Sequence, residues 1–228
     1  APVWFTSRKD DAHGGDTNGD GGATLPVGGD WTAVFLNLSA GPALSNTYCA
    51  DGGSGGWANL ATSSGTASSL VWNGGGANFS ANDGARLLVV NAALSNLEVD
   101  GNAADGIEVT PTFPPVMDNI DSSNNAGYGL RINTSPGSIP GTLSGSGNGV
   151  NGTYVTGTLG GSAPDGKWIW AASPDFPVVV GSINCNGPDS LEVGPGSIVK
   201  FDTAGSFLQI NGAGAHLAAA GTPEEPVW

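Results

Sequence analysis

Between residues 97 and 157 the chain returns to the same residue types every 23 positions: Asn102, Asn125 and Asn148; Gly106, Gly129 and Gly152; Val109, Ile132 and Val155. A unit this short cannot close a core of its own, so each period must lay its apolar side on the next. A period of roughly 20 to 25 residues holding short strands is the signature of a β-solenoid. Successive coils then stack at about the 4.8 Å strand spacing. Alternation along each strand turns Ile107 and Val109 inward and Glu108 outward. The register therefore predicts an outer ladder of Glu108, Arg131 and Tyr154. It also predicts an inward amide ladder of Asn102, Asn125 and Asn148 at the bend; the competing reading makes these ordinary turn residues.

Composition agrees with an all-β chain. Thirty-nine glycines and 15 prolines interrupt the sequence too often for long helices. Disorder is the rival for a Gly-rich acidic chain, but 39% hydrophobic residues and seven tryptophans supply a core. The 228 residues fit one unit, spanning 1–228. No apolar run approaches the roughly 20 residues of a membrane-spanning helix, so membrane insertion is not expected; no signal peptide opens the sequence, so any export signal lies outside it. Twenty acids against six bases give a net charge of −14, which repels nucleic-acid phosphates and anionic membranes. The same acidity, with little Lys and much Ser, Thr and Asn, suits an extracellular or cell-surface location. Cys49 and Cys185 stand alone without zinc spacing; a disulfide and two buried thiols are both open.

Toward the C-terminus a second rhythm appears. Leu191 with Val193, Val199 with Phe201, Leu208 with Ile210, and Leu217 with Ala219 form alternating pairs 8 to 10 residues apart, suggesting coils of two strands and 17 to 19 residues. Residues 40–69 and 158–175 show no strand period and read as loops protruding from the solenoid, the second anchored by Trp168-Ile169-Trp170. Pro226-Val227-Trp228 repeats Pro2-Val3-Trp4 at an offset of 224, so the last rung is cut and the first strand completes it. The sequence reads as one repeat unit of a stacked or tandem array.

The strings Pro2-Val3-Trp4-Phe5-Thr6-Ser7, Asp10-Asp11, Gly14-Gly15-Asp16-Thr17-Asn18-Gly19-Asp20-Gly21 and Gly29-Asp30-Trp31 resemble those of large bacterial cell-surface proteins of the right-handed parallel β-helix type, the pectin-lyase-like solenoid. In that family they follow stretches like Leu191–Phe201 and Leu208–Gly212, which here lie at the opposite end. Joining one copy's end to the next copy's start restores the order. The resemblance covers about half the chain and implies a fold, not an activity.

Asp16-Thr17-Asn18-Gly19-Asp20-Gly21 places oxygen side chains at i, i+2 and i+4 before a glycine, as the first half of a calcium loop requires. Val27 stands where the usual acidic twelfth residue would be. Asp10, Asp11, Asp30 or a backbone carbonyl must then complete a calcium site with Asp16, Asn18 and Asp20. The competing reading is an Asp/Asn/Gly turn.

For catalysis the best candidates are Glu98 with Asp121, 23 apart, and Arg131 beside Glu108; solvated acids and a surface ion pair are the bland reading, favoured because no acidic cluster adjoins an aromatic-lined groove. His13 and His216 occur singly. The sequons at Asn37, Asn78, Asn133 and Asn151 are near the number that chance gives so Asn-rich a chain. The expectation is a non-catalytic structural module of an extracellular filament, stalk or surface layer, whose partner is its own copy. The alternatives are a polysaccharide-binding or polysaccharide-cleaving β-helix, and an adhesin segment using residues 40–69.

Overall fold

The computed structural model describes residues 1–37, 41–62, 69–159, 163, 166–171 and 173–227. It is a parallel β-solenoid of about seven turns. Sheet A stacks β1 (Val3–Phe5), β3 (Ala43–Ala50), β5 (Leu70–Asn78), β7 (Ala92–Asp100), β9 (Val116–Ser123) and β11 (Leu143–Ser144). Sheet B stacks β2 (Val34–Leu36), β4 (Leu60–Thr62), β6 (Ala85–Val89), β8 (Ile107–Pro111), β10 (Tyr128–Ile132), β12 (Val150–Leu159) and β14 (Val178–Asn186). On β14 lie both β16 (Val199–Phe201) and β17 (Phe207–Asn211). A third sheet, C, contains β13 (Lys167–Trp170), β15 (Ser190–Val193) and β18 (Leu217–Ala219).

The 23-residue register sets the core. Leu60, Ala85, Ile107, Leu130, Thr153 and Val178 lie opposite one another on successive strands of sheet B and are all buried. Beside them run Leu87, Val109, Ile132, Val155 and Val180, also buried. Each such aliphatic side chain contributes about 1.5–3 kcal/mol on burial. The intervening residues form the expected outer ladder, Arg86, Glu108, Arg131 and Tyr154. Arg86 reaches Glu108 at 3.0 Å and also pairs with Asp83, while Arg131 reaches Asp105 at 3.4 Å and lies over the rings of Tyr128 and Tyr154, which touch each other.

The asparagine ladder is present. The Asn102 amide donates to Asn125 Oδ1 at 2.7 Å and the Asn125 amide to Asn148 Oδ1 at 2.8 Å. The same oxygens accept the backbone N–H of Asn102 and Asn125 at 3.1 and 2.9 Å. A buried bend leaves these N–H groups facing away from any strand, and the amide stack satisfies them.

Three expectations are corrected. Residues 40–69 are not a protruding loop: they carry β3, a 3-10 turn at Ser54–Gly56 and β4, while residues 40 and 63–68 lie outside the described residues. Strand alternation was hidden there by Asn46, whose positive φ of 47° inserts an extra residue into the in-out pattern. Asn46, Gly74, Asn96 and Asn119 form one column of such left-handed residues across β3, β5, β7 and β9. The segment 158–175 likewise contains the end of β12 and the whole of β13, whose Trp168 and Trp170 are buried in the core. Finally, the C-terminal coil has three strands: Leu191 pairs with Leu217, 26 residues later, after β16 and β17 have been laid on sheet B.

Cys49 and Cys185 are unpaired and buried. They sit five coils apart, about 24 Å at the strand spacing, far beyond disulfide reach. Burial pushes the Cys49 thiol up to about 12.

Candidate calcium loop and open solenoid ends

Residues 6–33 form a long excursion between β1 and β2. Because of it, Val3 pairs with Thr47, whereas neighbouring coils farther along repeat every 22 or 23 residues. Within the excursion, Asp16 accepts the N–H groups of Gly19, Asp20 and Gly21 at 2.7–3.0 Å. Asp20 accepts those of Gly22, Ala23 and Thr24 at 2.9–3.0 Å, and the Thr24 hydroxyl. Two Asx turns in tandem are possible because Gly19, Gly21 and Gly22 take positive φ. The Asn18 amide donates to Asp20 and Thr24, both at 2.9 Å.

The carboxylates of Asp11, Asp16 and Asp20 converge, with one oxygen of each within 4.8 Å of the others. Oxygens bound at 2.3–2.6 Å across one calcium ion stand about that far apart or less. Asp11 Oδ1 is shielded from solvent and has no hydrogen-bond partner. Desolvation, and then repulsion from Asp16, Asp20 and Asp10, push the Asp11 carboxyl above its ordinary value. Asp20 moves the other way, held down by the Thr24 hydroxyl and the backbone donors. The donor set fits a hard divalent cation, with Asp11 as the distant completing carboxylate.

Asp10 and Asp30 lie elsewhere. The Thr6 hydroxyl lies 2.7 Å from Asp10 and 2.9 Å from Asp51, its one proton shared between them; Ser7 donates to Asp30 at 2.7 Å, and Lys9 pairs with Asp30 at 2.6 Å. His13 Nδ1 lies 2.7 Å from Asp10 Oδ2, and its ring stacks on Trp4, which stacks in turn on Tyr48. Burial opposes ionisation of Asp10 and Asp30, but these partners hold both carboxyls below the ordinary range. Burial wins at Asp51, whose carboxyl is raised. This second network fastens the excursion to sheet A. Sequence spacing missed Thr6, Ser7 and Asp51, because Ser7 meets Asp30 across the length of the excursion and Thr6 reaches Asp51 on the next coil.

The catalytic candidates separate. Glu98 and Asp121 are opposite one another on the outer face of sheet A, in a groove of about 520 Å³ that Tyr48 also lines. An acidic pair therefore does adjoin an aromatic side chain, which sequence alone did not place there. Asp121 accepts the hydroxyls of Ser123 and Ser144 at 2.7 and 3.1 Å. Glu108 and Arg131 lie on sheet B as members of its charge ladder. His216 is exposed, and its ring Nδ1 lies 3.3 Å from the Gly214 carbonyl within its own turn.

At one end of the stack, β1 and β2 each have a single neighbouring strand. Val3 and Phe5 point along the inward columns of Thr47 and Cys49 yet are 48% and 42% exposed. At the other end β16, β17 and β18 are edges, with Phe201 54% and Leu217 47% exposed. Val227 packs against the core, and Trp228 lies outside the described residues.

Comparison with protein-family models, with curated proteins and with solved structures finds no match. What is shown is the parallel β-solenoid itself.

Proposed function

We propose that the chain is a non-catalytic structural module of an extracellular filament, stalk or surface layer, extended by stacking solenoids end to end. The observation that carries this reading is the pair of open ends, where inward-pointing Val3 and Phe5 at one and Phe201 and Leu217 at the other are left half exposed beside unpaired strand edges. Such edges add further strands, from another copy or from a covalently continuing repeat. The interface is heterologous and propagates instead of closing.

Calcium belongs to the same proposal. Held by Asp11, Asp16 and Asp20, it offsets most of the charge of three clustered carboxylates and stiffens the excursion beside the β1 end. The extracellular placement rests on this loop and on the acidic, Lys-poor composition.

Electron microscopy and sedimentation of the chain, with and without calcium, test the reading. Filaments are expected, and Phe5→Lys should shorten or abolish them without unfolding the coils from 97 to 157. A monodisperse monomer at high concentration would overturn it.

A second reading is favoured by one observation, the groove in which Tyr48 borders Glu98 and Asp121. An aromatic face beside hydrogen-bonding acids suits a polysaccharide. Binding and product-release screens against acidic and neutral polysaccharides decide it. The adhesin reading loses its loop, since residues 43–50 and 60–62 are strands of the body.

A further inference from the structure

Residues 222–227 fold back over the last coil. The Gly196 N–H donates to the Glu225 carbonyl at 3.2 Å, and the Thr222 N–H donates to the same carbonyl at 2.9 Å. Elsewhere in this solenoid, an N–H that reaches one carbonyl sets its residue opposite the next residue along. The Val178 N–H reaches Ile198 and Val178 faces Val199; the Leu191 N–H reaches His216 and Leu191 faces Leu217. Carried on through the left-handed turn at Gly196, the same register sets Gly196 opposite Pro226 and Ser197 opposite Val227. Ser197 is fully buried, so Val227 seated there points into the core, which it touches.

The seated segment has the sequence of the start of β1. Pro226-Val227 repeats Pro2-Val3, and Trp follows in both. If Pro2 of a second copy takes the place of Pro226, Val3 comes over Ser197 and Phe5 over Val199. Val199 extends the buried column of Val178. The in-out alternation is in phase on both sides of the joint, so no side chain has to turn to solvent.

We propose that the edge from Gly196 to Val199 is the docking site for β1 of a second copy, and that residues 222–227 are a strap filling it in the single chain. This rests on the end-to-end reading and specifies its joint. The strap is lightly held: residues 221–225 are exposed, and Val227 supplies its apolar contact. A docking β1 brings the same Pro-Val pair plus Phe5, and covers apolar side chains exposed on both copies.

The test uses sedimentation velocity on the full chain, on Val227→Asp, and on Val227→Asp combined with Phe5→Lys. A strap open about a tenth of the time makes Val227→Asp associate at about tenfold lower concentration than the unmodified chain. Adding Phe5→Lys should reverse the gain. A chain ending at residue 221, with unchanged circular dichroism, should match Val227→Asp. If the unmodified chain forms filaments and neither released form does so more readily, the strap is refuted while end-to-end stacking stands. If no form associates at millimolar concentration, the stacking itself is refuted.

Discussion

Thr153 sits among aliphatic residues in the inward column of sheet B, between Leu130 and Val178, and its buried Oγ1 has no hydrogen-bond partner. An unpaired buried hydroxyl costs free energy that a methyl of similar shape does not. Thr153→Val should therefore raise stability by about 1 kcal/mol in urea unfolding; a loss would mean that the hydroxyl is satisfied. Asn125 gives the opposite case. Its Oδ1 accepts two N–H groups of Asn102, and its amide donates to Asn148 and to the Ser122 hydroxyl. Asn125→Ala strands several of these at once and should cost roughly 2–4 kcal/mol in the same assay. Both residues were legible in advance, because Asn125 and Thr153 fall on the 23-residue step. The column of Asn46, Gly74, Asn96 and Asn119 was not. Its members are three Asn and one Gly, and what they share is a left-handed backbone that no residue type announces alone.

At the scale of an element, the excursion 6–33 has two parts with different jobs. Asp10, Asp30 and Asp51 fasten it to Thr6, Ser7, Lys9 and His13, whereas the carboxylates of Asp11, Asp16 and Asp20 gather on one another. Spacing alone revealed Asp16 and Asp20, which are local. It could not rank Asp10, Asp11 and Asp30 as the third carboxylate, since that depends on which of them the anchoring network has already taken. Calcium at about a hundred times its dissociation constant should add about 2.7 kcal/mol of stability or protease resistance at this loop. Asp16→Asn keeps an oxygen for the backbone donors but removes the charge, so it should abolish the calcium response and leave the sheets intact. Acid should do the same reversibly. The Asp11 carboxyl is raised above its ordinary 3.8, so without calcium its ionisation works against the folded loop as pH rises through that value toward the raised one. The gain from calcium should thus be full at neutral pH and vanish as the carboxylates protonate. A chelator effect that is unchanged in Asp16→Asn would place the ion elsewhere.

Across the whole molecule the cross-section changes along the axis. Sheet A ends at β11, the Ile139–Trp170 bridge starts sheet C, and β14 is long enough to carry β16 and β17 side by side. The sequence showed the pairs of apolar residues that make this coil, but spacing cannot tell two strands per coil from three; only the sheet on which each strand lands does. One consequence concerns assembly. The chain carries a net charge of −14, so two copies approaching end to end repel. The facing ends offer Val3, Phe5, Phe201 and Leu217 with open backbone edges, an apolar and hydrogen-bonded joint that salt does not weaken. Screening shortens the reach of the repulsion from about 10 Å at 0.1 M to about 3 Å at 1 M. Association should therefore rise steadily with sodium chloride at fixed protein concentration, measured by light scattering, with a further step when calcium is added at constant ionic strength. A joint made of ion pairs would behave in the opposite sense. Filaments that dissolve as salt increases would show that charged groups, not the strand edges and their apolar residues, hold the copies together.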